Sequence, residues 1–207
     1  VIAQPCPAIV SFVEIYHPEL IPFMAPVDSP MGHTVKMLKT FYPEYRDIRV
    51  AALSPCLAKK REFEATGLVD YNVTLRALQS HLEASGVDLH RYSPQPYDGP
   101  LAERAVLFPS PGGLLETARR DLPGLALRTR RMEGSIIYRY LEGLESAIEK
   151  GVAPLLVDCL SCELGCSGGP GTPMVGAHPD EVDYPIRERS QQHQEMYAER
   201  GRSQGTS

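Results

Sequence analysis

The sequence predicts an α/β protein in which parallel sheets are flanked by helices. Short apolar runs rich in strand-forming residues alternate along the chain with amphipathic segments of helical period. This alternation is typical of parallel βαβ units. The 207 residues are 43% hydrophobic and 23% charged, which suits a compact domain with a sizeable core.

The first third of the chain predicts two helices and a buried strand. Residues 8–16 carry apolar side chains close to helical spacing, which predicts an amphipathic helix. Ser29 and Pro30 then suit the cap and first turn of a helix that runs to about residue 42. Residues 48–53 are mostly apolar and predict a buried parallel strand directly before Cys56.

The middle of the chain continues the alternation. Leucines at helical spacing and a closing glycine predict a helix over 73–84, and three prolines with a glycine mark 93–100 as a loop. Apolar runs and helical periods predict the remaining elements: strands at 105–108 and 155–157 and helices at 114–120 and 136–150.

The last thirty residues have a different character. The stretch 180–200 is highly charged with few large apolar residues, so we expect an exposed helix or the start of a linker, with disorder at the end. We therefore divide the chain into a domain at 1–178 and a charged helical or linker tail at 179–207.

The net charge and the lack of targeting signals limit the partners and the location that we expect. A net charge of −5 argues against a nucleic-acid-binding surface, and no apolar run is long enough to span a membrane. The start has no initiator Met, basic region or apolar region, so it is not a signal peptide. We expect a cytoplasmic protein, with neither nucleic acid nor membrane as a partner, and a fragment that lacks its upstream part.

The cysteines lie in three well-separated motifs. These are AQPCPA around Cys6, SPCLAKK around Cys56, and DCLSCELGCSGGPG around Cys162 and Cys166. Because ligands bind outside the carboxyl ends of parallel strands, we expect the thiols and the Gly112-Gly113 turn to share one rim. Four soft thiolates around one point are what a 4Fe-4S cluster needs.

Other interpretations of the cysteines stay open at this point. A single cysteine such as Cys6 is often a small buried hydrophobe. Cys159 and Cys162 have the spacing of a redox pair or of half a zinc site, although zinc normally draws on two close pairs. The odd count and uneven spacing do not suggest a disulfide framework.

Together the three motifs resemble the signature segments of the catalytic domain of iron-only (FeFe) hydrogenases, in the same order. The resemblance extends from Cys6 to Pro173 and includes the Ser29-Pro30-Met31 and Pro111-Gly112-Gly113 stretches. It implies a two-lobed domain that holds an H-cluster, which is a 4Fe-4S cubane joined to a diiron subcluster carrying CO, cyanide and a dithiolate amine.

The resemblance also implies roles for individual residues. The cubane ligands would be Cys6, Cys56, Cys162 and Cys166, with Cys166 bridging to the diiron subcluster. Lys59 matches the family's lysine that donates a hydrogen bond to a cyanide, and Glu62 matches a glutamate of the proton path. It places Ser29 and Ser54 at the cofactor, whereas Cys159 has no transferable role and is expected to be a packing thiol.

The departures from the family pattern concern the proton path and the diiron pocket. A proton-relaying cysteine of the family is replaced here by Pro5, and the relay's serine by Ala25. Two methionines that pack at the diiron site are replaced by Ser54 and Leu160. The resemblance therefore implies complete cubane ligands with a proton path broken at two points.

This pattern resembles the sensory branch of the family, which implies low or sensory H2 activity in an anaerobic setting. The implied partners are ferredoxin-like iron–sulfur modules in cis or trans, H-cluster maturation proteins, and downstream PAS, kinase or phosphatase domains. The alternative is a 4Fe-4S-only electron-transfer or regulatory module that never accepts the diiron unit.

Overall fold

The computed structural model describes residues 1–3, 6–95, 97–98, 105–122 and 128–204. Within these ranges the chain forms two separate sheets, each of two parallel strands. The strands are β1 (Ala51–Ser54), β2 (Tyr71–Thr74), β3 (Thr129–Glu133) and β4 (Leu156–Leu160). The α-helices are α1 (Pro7–Tyr16), α2 (Pro30–Phe41), α3 (Lys59–Thr66), α4 (Leu75–Ala84), α5 (Gly113–Asp121), α6 (Ile136–Glu142), α7 (Leu144–Glu149) and α8 (Pro179–Gln204).

The first lobe is built on β3 and β4. Because β4 is parallel to β3, the chain must cross back between them, and it does so through α6 and α7. A buried apolar cluster fills this lobe, with side chains from α1, α6, α7 and β4. Its fully buried members include Ile9, Val13, Ile137, Leu141 and Val157.

The chain start joins the same sheet. The Ala3 amide donates to the Val157 carbonyl at 2.9 Å, and the Val157 amide donates to the Val1 carbonyl at 2.9 Å. Ile2 forms a parallel bridge with Val157. This short segment therefore runs beside β4 and leads to Cys6 at the same end of the sheet at which β4 ends.

The second lobe is smaller and is built on β1 and β2. These strands are also parallel, and α3 makes the crossover between them. Val35 of α2, Ala52 of β1, Phe63 of α3 and Val69 form its buried core. Ser29 caps α2 by accepting a hydrogen bond from the Gly32 amide at 3.3 Å, as its position before Pro30 predicts.

The predicted fold class is confirmed, and several elements lie where the sequence places them. The helices predicted at 8–16, 30–42 and 114–120 correspond to α1, α2 and α5. The helix predicted at 136–150 is divided into α6 and α7 at Gly143.

Other predicted elements are wrong. Residues 105–108, predicted as a strand, form turns. The predicted start of the helix at 73–84 belongs to β2, and the helix itself begins at Leu75. The strand predicted at 155–157 runs on through Cys159 to Leu160, so Cys159 lies inside the strand and not after it. The loop predicted at 93–100 falls partly outside the described residues.

The charged segment after residue 178 forms the long helix α8. Val182 and Ser190, eight positions apart, are buried on one face. Arg187 reaches Glu116 of α5 at 3.5 Å. The predicted disorder at the chain end concerns residues 205–207, which lie outside the described ranges. Among the described helices, none has the length and apolar character needed to cross a membrane.

Candidate metal centre

A cavity of about 200 Å³ lies between the two lobes and collects the cysteine motifs. Its wall includes side chains from both lobes. Among them are Cys6, Met31, Cys56, Lys59, Leu160, Cys162 and Cys166. The fold thus brings four thiols from three distant motifs to the wall of one cavity.

Cys6 reaches this cavity from the start of α1. It occupies the N-cap position, and its carbonyl accepts the amides of Ile9 and Val10 at 3.1 and 3.2 Å. Pro7 fits the first helical position because proline has no amide that would need a partner there. A helix N-terminus favours negative charge, so this position suits a thiolate or an anionic cluster.

Cys56 lies in the turn that follows β1. Ser54 Oγ accepts a hydrogen bond from the Cys56 amide at 2.9 Å and donates one to the Cys56 carbonyl at 3.0 Å. Asn72 of β2 donates from Nδ2 to the same carbonyl at 2.9 Å. Two strands therefore fix the backbone of this cysteine through their side chains.

Cys162 and Cys166 lie on the loop after β4. The Cys166 amide donates to the Pro109 carbonyl at 2.7 Å, which ties the loop to the turn at 105–112. Gly165 has φ 68° and ψ −165°, a conformation that is essentially restricted to glycine. A Cβ at this position would lie 2.2 Å from the Pro109 carbonyl oxygen. Only glycine can therefore place the backbone this close to the turn.

The glycine-rich stretch after Cys166 joins the lobes. The Gly171 amide donates to the Pro55 carbonyl at 3.0 Å, next to Cys56. A Cβ on Gly171 would lie 2.6 Å from that oxygen, and one on Gly169 would lie 3.4 Å from Cys162 Sγ. The contact therefore sets the distance between the loops that carry Cys56 and Cys162.

Burial and mutual proximity disfavour the thiolate forms of Cys162 and Cys166. Burial, together with smaller contributions from the thiols of Cys6, Cys56 and Cys162, raises the pKa of Cys166 to about 12, with Lys59 opposing the shift. Burial likewise raises the pKa of Cys162 above its ordinary value, with smaller contributions from Cys6 and Cys56. The four thiols are therefore close enough to interact electrostatically.

Lys59 brings a positive charge to the cavity wall. It is the first residue of α3 and is 7% exposed. Its Nζ lies 2.7 Å from Glu62 Oε2, one turn along the same helix. This ion pair orients the Lys59 ammonium, whereas Glu62 itself lines a neighbouring cleft and not the cavity.

The two serines predicted at the cofactor do not line the cavity. Ser29 is buried as the cap of α2 and borders the neighbouring cleft together with Glu62. Ser54 is fully buried and engages the Cys56 backbone. Each serine hydroxyl therefore accepts a hydrogen bond from a backbone amide, that of Gly32 for Ser29 and that of Cys56 for Ser54.

Ala25, which matches the serine of the proton path, does not line this cavity. Ala25 borders a separate apolar cavity together with Val27 and Leu156. Pro5 lies outside the described residues. Asn72 was missed by the sequence analysis, because it belongs to a strand that the apolar pattern did not mark and no cysteine motif includes it.

Cys159 differs from the other four cysteines. It is fully buried in the core of the first lobe, and its Sγ donates to the Ala3 carbonyl at 3.4 Å. Burial raises the pKa of this thiol strongly. It has the contacts expected of a packing thiol, and it does not line the cavity with Cys162 as a CxxC redox pair would.

A single-ion site is not formed. Within the described ranges, no three His, Cys, Asp or Glu side chains are grouped so that they could hold one metal ion. The thiols instead surround a volume, and all five described cysteines are free of disulfides.

Comparison with known proteins identifies the family. Residues 1–170 match the family described as "Iron only hydrogenase large subunit, C-terminal domain". A curated relative is the periplasmic [Fe] hydrogenase large subunit of Nitratidesulfovibrio vulgaris, 28% identical over 130 residues. That match covers 56% of this chain and 31% of the relative, so it spans about a third of the relative's length.

Solved structures agree with the fold. An [FeFe]-hydrogenase studied for oxygen inactivation through its H cluster 2Fe subcluster superposes with a TM-score of 0.67 at 18% identity. A variant of [FeFe]-hydrogenase HydA1 from Chlamydomonas reinhardtii gives a TM-score of 0.66 at 19% identity. Each superposition covers 93% of this chain and 65% of the solved chain. From the family match over most of its length, the chain belongs to the iron-only hydrogenase large-subunit, C-terminal domain family.

Proposed function

We propose that the protein binds a 4Fe-4S cluster through Cys6, Cys56, Cys162 and Cys166, as part of an H-cluster with low or sensory H2 activity. The observation that carries this proposal is the single cavity between the lobes, which all four thiols line. The fifth cysteine is directed into the core instead.

The donor set fits such a cluster. Four thiols are the ligand set of a cubane, and soft sulfur ligands favour iron–sulfur clusters and zinc over hard cations. All four thiols line one cavity of about 200 Å³, which gives space for a cluster. Because the pKa values of Cys162 and Cys166 are raised, these thiols must release protons on binding iron, so loading is expected to improve as the pH rises.

Lys59 and Glu62 have distinct roles in this proposal. The ammonium at the cavity wall would donate a hydrogen bond to an anionic ligand there, since a buried anion needs a charged donor. Glu62 orients that ammonium through the 2.7 Å ion pair. The bound H-cluster would supply the electron exchange that interconverts protons, electrons and H2.

Proton delivery limits this activity. Pro5 offers neither a thiol nor an amide hydrogen, and the Ala25 methyl group cannot carry a proton. General acid–base steps contribute roughly 10²–10⁴-fold to a rate, so the loss of two carriers should cost a comparable factor. Slow turnover with an intact cluster suits a sensor of H2 or redox state.

The proposal extends to partners and location. Electrons would come from ferredoxin-like iron–sulfur modules, and the diiron unit from H-cluster maturation proteins. A signal would pass to PAS, kinase or phosphatase domains. The free thiols suit a reducing cytoplasm and the cluster an anaerobic setting, although the curated relative is named as periplasmic.

Infrared spectroscopy on anaerobically purified, fully maturated protein tests the complete H-cluster. We expect CO and cyanide stretching bands together with four cubane irons per chain. A sample with the cubane but without these bands would refute the H-cluster, and a sample that holds zinc or no iron would refute the cluster site altogether.

Restoring the two proton carriers tests the cause of slow turnover. The double variant Pro5→Cys, Ala25→Ser is expected to raise H2 evolution by roughly 10²–10⁴-fold, the range of acid–base catalysis. The control is the same maturated sample with Ala25→Val, which adds bulk without a proton carrier. An unchanged rate in the double variant, with normal infrared bands, would contradict the broken proton path.

The alternative function is a 4Fe-4S-only electron-transfer or regulatory module. One observation favours it: Ser54 faces the Cys56 backbone, so it contributes no side chain to the cavity wall, where the family's methionine would contact the diiron unit. Cubane iron in the absence of CO and cyanide bands would establish this alternative.

A further inference from the structure

The backbone of Cys56 is held by two polar side chains on neighbouring strands. Ser54 ends β1 and is fully buried, and its Oγ both accepts from the Cys56 amide and donates to the Cys56 carbonyl. Asn72 of β2 donates to the same carbonyl. Both polar groups of the Cys56 backbone are therefore occupied by side chains.

These bonds place a loop residue on a rigid support. Cys56 lies between β1 and α3, outside both elements. In the register of the sheet, Asn72 lies opposite Ala52, two residues before Ser54. The two side chains therefore reach the same carbonyl from adjacent strands, so the position of Cys56 depends on the sheet and not on the turn alone.

The direction of the Cys56 amide has a consequence for a cluster. The reduction potential of an iron–sulfur cluster depends on hydrogen bonds to its sulfurs, because these bonds stabilise the added negative charge. Ser54 Oγ accepts a hydrogen bond from the Cys56 amide at an N to O distance of 2.9 Å. That hydrogen is therefore not available to a sulfur.

We propose that Ser54 and Asn72 are positioning residues for the Cys56 thiolate. Ser54 also keeps the reduction potential of the cluster low, because its Oγ accepts the hydrogen bond that the Cys56 amide would otherwise donate to a cluster sulfur. This inference rests on the proposed 4Fe-4S site. It assigns different effects to the two side chains. Both slow the loss of iron from the cluster, whereas only Ser54 changes the reduction potential of the cluster.

The test uses the full chain, reconstituted anaerobically with ferrous iron and sulfide. The variants are Ser54→Ala, Asn72→Ala and, as control, Thr74→Ala. Thr74 lies opposite Ser54 in the sheet and accepts the Ala77 amide at the start of α4, so its loss weakens a helix cap without touching a cysteine. The measurements are iron release to a chelator and the midpoint potential from a redox titration followed by electron paramagnetic resonance.

The expected results separate the three variants. Ser54→Ala should release iron roughly tenfold faster, because two hydrogen bonds are lost, and should shift the midpoint potential to a more positive value. Asn72→Ala should release iron faster with an unchanged potential. Thr74→Ala should lower only the melting temperature. A Ser54→Ala protein that folds but retains no iron would also support the positioning role.

Two results would overturn the inference. The first is a wild-type release rate and potential in Ser54→Ala. The second is an equal potential shift in Asn72→Ala, which would mean that the amide hydrogen is not the cause. Failure of the proposed function is distinguishable from both, because the wild-type chain itself would then hold no 4Fe-4S cluster.

Discussion

The environment of each thiol, more than the cysteine itself, decides its role in this chain. Cys6 and Cys159 are both buried, yet Cys6 faces the inter-lobe cavity while Cys159 donates to a carbonyl within the core. Burial alone would not have separated a ligand from a packing residue. The neighbouring groups do so, because a ligand thiol needs space for metal on its open side.

Removing the packing thiol of Cys159 and removing a cavity thiol, such as that of Cys162, should have opposite consequences. Cys159→Ala is expected to cost about 1–2 kcal/mol in the free energy of unfolding, from a small core cavity, and to leave the iron content unchanged. Cys162→Ala should abolish cluster binding with a smaller effect on the apo fold. Iron analysis and urea unfolding of both variants check this, and equal iron loss from both would show that the ligand assignment is wrong.

Asp158 provides a residue-level test of pH dependence. Its carboxylate accepts the Leu115 amide at 3.0 Å, and burial raises its pKa above the ordinary value of 3.8, although Leu115 and Arg131 oppose the shift. The folded state therefore binds its proton more tightly than the unfolded state. Its contribution to stability is fully present at low pH and is lost as the pH rises through the raised pKa.

Asp158→Asn should isolate this effect. The amide oxygen can still accept from Leu115, while the charge that burial disfavours is gone. We expect the variant to gain stability relative to the wild type as the pH rises from about 4 to about 7, by at most about 1.4 kcal/mol per pH unit. Urea unfolding of both proteins across this range measures the difference. A constant difference, or a gain toward low pH, would contradict a raised pKa.

The loops after the strands set the geometry of the candidate site. The loop after β4 carries Cys162 and Cys166 and packs against the turn at 105–112 through Gly165. The loop after β1 carries Cys56 and meets the glycine-rich stretch at Gly171. Each loop is short and held by backbone contacts, which fix the backbone that carries the thiols.

A glycine substitution tests whether close backbone approach is required. Gly165→Ala should cost about 2–5 kcal/mol and lower iron loading, because its Cβ would overlap the Pro109 carbonyl and displace Cys166. Gly176→Ala is the control. Gly176 also has positive φ, at 84°, but a Cβ there meets nothing within 4 Å, so it should lose only about 1–2 kcal/mol. Equal iron content in both variants would contradict the role of the close approach.

The elements predicted correctly are those whose own residues specify them. The apolar spacing in α1 and the Ser-Pro start of α2 are local signals, and both helices begin within one residue of the prediction. β3, with the sequence TRRME, carries charged side chains that no apolar pattern would identify as a strand. It is stabilised by pairing with β4, which is a tertiary contact invisible to local patterns.

Residues 105–108 show the reverse case, a predicted strand that does not form. The run of Ala, Val, Leu and Phe has strand-like composition, yet it forms turns with Leu107 buried. This turn brings Pro109 against the cysteine loop at Gly165 and Leu107 against Gly113 at the start of α5. Apolar composition predicts burial here, and Leu107 is buried while the other three residues are half-buried, but the backbone conformation is set by the contacts of the turn.

The candidate site exists only in the assembled molecule. One lobe contributes Cys6, Cys162 and Cys166, and the other contributes Cys56 and Lys59. The sequence could predict that the thiols share one site, since the motifs and the parallel topology both indicate it. The family resemblance also implied two lobes, but no sequence pattern could predict that the Gly171 contact would join their two sheets around the cavity.

Anomalous diffraction at the iron edge, from anaerobically grown crystals of the reconstituted chain, tests the central claim most directly. We expect one compact group of iron atoms in the inter-lobe cavity, bonded to Sγ of Cys6, Cys56, Cys162 and Cys166 and not to Cys159. Iron bound elsewhere, or a cluster that leaves one of these four thiols unligated, would contradict the account.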